Sequence, residues 1–320
     1  MTTATERLPE AADAQQLAGR QPAGLWRDTL GSLLRQRSAV VGLFILGTLF
    51  LMAIFADQIA THPPNLSMLQ AGEDVSRQRP ETLTPCVHAL GCAAERPEHY
   101  FGLDGLTRDL FSRVVYGARI SLYIGFVTVG FAIAIGAALG AISGYLGGAV
   151  DNVIMRVMDV ILSFPSLLLA IVIVTVLGTG LVNAQIAIGV VAIPVYARVM
   201  RASVLSIRER DFVTASKALG ESTFGILTRR VVPNAVTPLI VQGTLGIGGA
   251  ILEVAALSFI GVGVQPPTAE WGSMIALERT LLPVSPHMII FPGIAITLTV
   301  LGFNLLGDGM RDALDPRLNR

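Results

Sequence analysis

The sequence predicts an all-α integral membrane protein with six transmembrane helices and both termini cytoplasmic. Three observations carry this. Charged residues make up 14% of the 320-residue chain and hydrophobic ones 52%, against roughly 25% charged in a soluble domain. There are uncharged apolar stretches enough for six bilayer crossings of about 20 residues each. Basic residues are shared unevenly between the two alternating sets of loops. The 33 glycines and 6% aromatics suit helices that approach closely through small residues, and zero formal net charge gives no reason to expect a nucleic-acid partner.

The elements follow in order. Residues 1–38 are polar and mixed in charge, with no small-residue cleavage site after a short apolar core, so a loose N-terminal tail is expected and not a cleaved signal peptide. Span one is 39–57, preceded by Arg35 and Arg37. A long loop, 58–118, leads to span two at about 119–143. The stretch from Val160 to Ala197 is long enough for spans three and four, with Gly178-Thr179-Gly180 and Asn183 as the turn between them. Span five runs from about Thr237 to Val262 and span six from about Pro286 to Leu306, so the helical core is 119–306 and 307–320 is a C-terminal tail.

With both termini inside, sixteen of the 23 basic residues fall on the cytoplasmic side. The 198–230 region alone holds seven of them, and the 178–184 turn holds none. The long loop 58–118 is then extracytoplasmic.

The cytoplasmic loop 206–234 carries local signals of structure. Asp211 can cap a short helix ending at Leu219, with Gly220 as the left-handed residue that closes it. Ser222 can cap a second helix that ends before Pro233. Two helices this short need something to pack against, either the lipid surface or the cleft of a soluble partner.

Other residues allow more than one reading. Glu253 lies inside span five, roughly 24 Å along the helix from Thr237. It is either a hydrogen-bonded structural acid or a gate on a translocation path. Cys86 and Cys92 share one extracytoplasmic loop with His88 and His99; a disulfide is expected there, with a metal site or free thiols as the alternatives. Gly130, Gly136, Gly140 and Gly144 recur at helical spacing and suit close packing. Pro194 and Pro292 stand inside spans four and six. Arg108, Asp109 and Arg113, with Leu110, Phe111, Val114 and Val115, suggest a short amphipathic helix before span two, either interfacial or a contact surface. The four histidines, at 62, 88, 99 and 287, share no ligand spacing, so no metal site and no catalytic residue are expected. Lys217, the only lysine, lies between Ser216 and Ala218, so the chain holds no phosphate-binding G-x-x-x-x-G-K-[ST] loop.

Several of these stretches together resemble one family. Asp211-Phe212-Val213-x-Ala215-x-x-Ala218-Leu219-Gly220, followed by Arg229-Arg230-Val231-Val232-Pro233-Asn234, resembles the coupling loop of ABC importer permeases. Thr214-Ala215-Ser216 replaces the usual Glu-Ala-Ala core. Phe101-Gly102-Leu103-Asp104, Arg108 to Arg113, Gly117 to Leu122, Asp151 with Arg156, Asp159 and Ser163-Phe164-Pro165, Leu257 to Pro267 with Trp271-Gly272, and Gly307 to Arg317 resemble the peptide and nickel importer permeases with a long first extracytoplasmic loop. The resemblance covers about 101–317.

It implies a type I ABC importer permease fold in a bacterial or archaeal inner membrane. It further implies one half of a translocation pathway shared with a second, homologous permease, two ATPase subunits that bind ATP and Mg, and an extracytoplasmic binding protein that delivers substrate. The chain itself would bind no cofactor. Asp211, Phe212, Ala215, Lys217, Ala218, Leu219, Gly220 and Pro233 would then couple to the ATPases. A di- or oligopeptide is the implied cargo, with a nickel complex as the alternative. An ion-coupled secondary transporter with Glu253 as coupling acid is a further reading, and it would require internal symmetry between halves.

Overall fold

A computed structural model describes residue 31 and residues 33–314 of the protein. The expected tail over 1–30 and the last residues, 315–320, lie outside the described residues. Among those described the fold is helical, with three isolated β-bridges and no strand.

The main helices are α1 (Arg37–Ile54), α2 (Leu110–Leu146), α3 (Gly148–Leu162), α4 (Ser166–Leu177), α5 (Leu181–Arg208), α6 (Asp211–Ala218), α7 (Thr237–Ile260), α8 (Trp271–Glu278) and α9 (His287–Leu314). Five of them (α1, α2, α5, α7 and α9) are each long and apolar enough to cross a membrane, and the bent pair α3–α4 makes a sixth candidate when counted as one broken span. The chain therefore alternates between two ends. Residues 55–109, 178–180 and 261–286 gather at one, here the loop end. Residues 147–148 and 209–236, with both ends of the described chain, gather at the other.

Three elements differ from expectation. Span two is one 37-residue helix, about 55 Å long, and so outreaches the roughly 30 Å hydrocarbon core. Its extra turns include Arg113, where a separate amphipathic helix was expected. Asp109 caps it, accepting the Ser112 N–H at 2.8 Å, and Arg108, Asp109 and Arg113 are all buried. Asp104 pairs with Arg108 at 2.7 Å and with Arg113 at 3.3 Å. Buried inside the protein, these side chains form neither an interfacial anchor nor an exposed contact surface.

The third crossing is not a simple helix. α3 and α4 meet at 92° across Ser163-Phe164-Pro165, where Pro165 supplies no N–H to continue the ladder. Hydropathy runs unbroken through the bend, so the sequence pattern places the crossing but hides the corner.

Span six continues as helix to Leu314, which makes 307–314 its last turns and not a tail. Gly309 explains why: a Cβ there would lie 2.5 Å from Ala39 Cβ. The end of α9 is thus held against the start of α1.

α2 and α5 form the central packed pair. A Cβ added at Gly136, Gly140 or Gly144 would fall 2.8, 2.2 or 2.9 Å from the carbonyl oxygens of Ile193, Ala197 and Arg201. Backbone-to-backbone approach of this kind is available only where side chains are absent. Gly130 meets nothing within 4 Å and stands outside the seam. α9 packs on both α1 and α7 and completes the bundle.

The 55–109 segment has a small core of its own, Met68, Val75, Leu83 and Leu103, seated on Met288 at the start of α9. It is held to α2 and α9 and is not a free insert. Trp271 of α8, fully buried, donates its indole N–H to Val114 O at 3.0 Å and fastens 261–286 to the same end.

Candidate functional site

Two places stand out. One is the 209–236 element, and the other is a largely apolar cavity beside Glu253.

In the element, α6 opens with Asp211 as its first residue. The cap position belongs to Arg210, whose side chain makes no capping bond, so the expected Asp211 cap is displaced by one residue. The helix closes as expected. Gly220 takes φ +78°, its N–H donates to Lys217 O at 3.0 Å, and the Glu221 N–H donates to Ser216 O at 3.1 Å. This double bond pattern satisfies the last carbonyls of the helix.

Ser222 accepts the Gly225 N–H at 3.2 Å, as a helix cap should. The second helix does not end before Pro233. It widens into a π-helical stretch at Ile226–Val231 and resumes as α-helix over Val232–Ala235. Pro233 sits at the start of that resumed piece, where a missing N–H costs little.

The element has two faces. Val213 and Ser216 are buried, as are Ile226 and Val231. Phe212, Ala215 and Leu219 lie on the opposite side at helical spacing, exposed to solvent. Leu219 is 88% exposed and the neighbouring Phe224 is 76% exposed, giving a small apolar knob. Ser216, where the resemblance led to an alanine being expected, has a small side chain that fits its buried position, and Thr214 is exposed. Lys217 turns back, its Nζ 5.9 Å from the centre of the Tyr145 ring at the end of α2. Ala218 and Pro233 are exposed. The i, i+3, i+7 spacing of Phe212, Ala215 and Leu219 puts these three residues on one exposed stripe of α6.

The element is fixed to helices on both sides. It joins the end of α5 at Arg208 to the start of α7 at Thr237. Arg208 donates to Gly144 O of α2 at 2.9 Å. Arg201 of α5 makes a two-pronged pair with Asp151 of α3, Nε at 2.6 Å and Nη2 at 2.5 Å, and Ser143 of α2 also donates to Asp151. Arg198 reaches Asp159 further along α3 at 2.6 Å. The element is thus tied by chain connection to α5 and α7 and, through the arginines of α5, to α2 and α3.

Glu253, partly buried on α7, opens onto a cavity of about 240 Å³. Ser166, the first residue of α4, donates to its Oε1 at 3.4 Å, so the corner at Pro165 brings α4 to the acid. Thr128, Tyr196 and Gln242 add polar groups from α2, α5 and α7, and Phe164, Ile188 and Val191 add apolar wall. The Thr128 hydroxyl is buried without a hydrogen-bond partner. An acid inside a span is costly, about 2.5–3.5 kcal/mol on insertion scales, and facing a cavity with a few polar groups within the bundle lowers that cost.

At the loop end, Cys86 and Cys92 are joined in a disulfide with Cα atoms 5.4 Å apart. Cys86 also exchanges backbone hydrogen bonds with His99. His62 and His99, far apart in sequence, stand together with ring centres 5.3 Å apart. Burial pulls the His99 pKa down, but hydrogen bonds to Asp109 and Glu73 outweigh it and the net shift is upward.

With this geometry in place, comparison with known proteins is specific. Residues 136–320 match the family described as binding-protein-dependent transport system inner membrane component, and residues 24–80 match the N-terminal TM domain of oligopeptide transport permease C. The chain is 44% identical over 293 residues to a dipeptide transport system permease protein of Alkalihalophilus pseudofirmus, covering 92% of this chain and 90% of the relative. It is 43% identical over 287 residues to a probable D,D-dipeptide transport system permease protein of Escherichia coli, covering 90% and 89%. It is 47% identical over 221 residues to an E. coli glutathione transport system permease protein, covering 69% and 73%. Among solved structures, an inward-facing MetNI methionine ABC transporter chain superposes with TM-score 0.52 at 19% identity, over 64% of this chain and 98% of that one, which is a likeness of fold.

Proposed function

The chain belongs to the family of binding-protein-dependent transport system inner membrane components, and from that premise we propose that it imports short peptides as one half of a permease pair driven by separate ATPase subunits. The observation that carries the docking half of this reading is the apolar knob of Phe212, Leu219 and Phe224, exposed on an element built by its own caps. An exposed apolar patch on a rigid element is a contact surface. The names of the relatives support peptides as cargo, glutathione being a modified tripeptide.

In this reading the 209–236 element and both termini face the cytoplasm, and the 55–109 segment faces outward toward a binding protein. Seven basic residues between 198 and 230 support that orientation. The knob inserts into a cleft of the ATPase. When ATP closes the ATPase pair, the element moves with it and carries the end of α5 and the start of α7. Those two helices line the Glu253 cavity, so the motion changes which face of the cavity is open. ATP binding shifts the population between inward-open and outward-open forms only as far as the docked state favours one of them.

Reconstitution tests it. The chain, with its companion permease and ATPases in proteoliposomes, should hydrolyse ATP faster when a binding protein loaded with di- or tripeptide is supplied. If peptides leave the rate unchanged and a nickel complex raises it, the cargo assignment is wrong.

A further inference from the structure

The fold brings together three residues that the sequence keeps apart, His62, His99 and Asp109, whose donor atoms all lie within 4.8 Å of one another. His99 Nδ1 is 2.9 Å from Asp109 Oδ1, and His62 Nδ1 is 4.0 Å from Asp109 Oδ2. On its other side, His99 Nε2 is 3.0 Å from Glu73 Oε2.

We propose that His62, His99 and Asp109 bind a divalent transition-metal ion of the zinc class at the loop end of α2, with Glu73 orienting His99 from behind. The donor set is two imidazoles and a carboxylate, which suits such an ion. A ligand histidine that donates its second ring N–H to a carboxylate is the usual supporting arrangement, and Glu73 stands where that carboxylate belongs. Once Nε2–H is donated to Glu73, Nδ1 turns a lone pair toward the Asp109 carboxylate at 2.9 Å. A cation must lie between two such acceptors.

A proton on His99 would meet that need alone. The second imidazole decides between the two. His62 touches the proton-holding network only through Thr61, whose hydroxyl lies 3.0 Å from His62 Nδ1 and donates to Asp109 Oδ2 at 3.2 Å, whereas turned inward it completes a three-ligand set for a metal.

The three backbones are fixed independently of any ion. The His62 N–H donates to Ser112 Oγ at 3.0 Å. His99 is bridged to disulfide-bonded Cys86. Asp109 caps α2. For the roughly 3.4 Å ligand spacing of a tetrahedral zinc site, set by bonds of about 2.1 Å, the His62 side chain, 29% exposed, must rotate inward and the 2.9 Å contact between His99 and Asp109 must open by about half an ångström. The ion would fasten the chain leaving α1 and the far strand of the 55–109 segment to the first turn of α2.

The test uses full-length, tag-free protein in detergent, stripped with chelator, given Zn2+ and desalted. Wild type should retain one Zn2+ per chain, and Co2+ in its place should give visible d–d absorption. His62→Ala should bind Zn2+ at least tenfold more weakly while the metal-free variant melts at the wild-type temperature. Asp109→Asn, which keeps an oxygen to cap α2, should weaken it likewise. If wild type retains no Zn2+, or if His62→Ala and Asp109→Asn bind as tightly as wild type, the site does not exist and His99 holds a proton only.

Discussion

Arg201 grips Asp151 with two parallel hydrogen bonds, Nε at 2.6 Å and Nη2 at 2.5 Å, and so ties α5 to the bent helix pair that forms the third crossing. Paired, charge-assisted bonds of this kind are directional as well as strong. Both side chains are partly exposed, 33% for Arg201 and 14% for Asp151, so solvent screening reduces their worth. A double-mutant cycle of Asp151→Ala and Arg201→Ala is expected to give a coupling energy of about 1–2 kcal/mol in thermal unfolding of the purified chain. Purely additive effects would mean the two helices are not joined there.

Gly140 predicts a steric result. A Cβ would sit 2.2 Å from Ala197 O, a backbone atom that cannot rotate away. Gly140→Ala should lower stability by about 1–3 kcal/mol, and Gly140→Leu should abolish folded yield in detergent. Gly130→Ala, with nothing within 4 Å, is the matched control and should leave the melting temperature unchanged or slightly raised, since alanine favours helix.

The Cys86–Cys92 disulfide closes a short loop, for which chain entropy gives about 2 kcal/mol of local stabilisation. Thiol titration of unfolded, unreduced protein should find none free. The double variant Cys86→Ser/Cys92→Ser should make 55–109 more sensitive to protease while leaving the membrane helices intact.

The five long crossing helices were legible because each needs only a run of apolar residues, and the turn at Gly220 and the cap at Ser222 were legible because capping is a local code. What was hidden depends on distant partners. The arginines at 108 and 113 read as an interfacial helix, since nothing in the local pattern shows that Asp104 and Pro64 O would receive them inside the protein. The corner at Pro165 lies in an uninterrupted apolar run, where hydropathy has no contrast to offer. His62 and His99 have no ligand spacing because a 37-residue separation is closed by the fold of 55–109 and not by a helix or a turn.

Glu253 faces the cavity with Ser166 as its one hydrogen-bond partner among the described residues. Glu253→Gln keeps the shape and removes the charge. On the proposed pathway it should lower peptide uptake in proteoliposomes several-fold without changing how much of the assembled complex is recovered. Unchanged uptake would remove Glu253 from the pathway, and loss of the complex itself would make it a structural acid.

Docking of the 211–230 element on a separate ATPase is read out by co-purification. Leu219 and Phe224 are 88% and 76% exposed, so Leu219→Asp/Phe224→Asp should leave folding and the companion permease in place. The predicted result is that the ATPase subunits no longer co-purify and peptide-stimulated ATP hydrolysis is lost. Full recovery of the ATPase with this double variant, at wild-type rates of hydrolysis, would contradict the account.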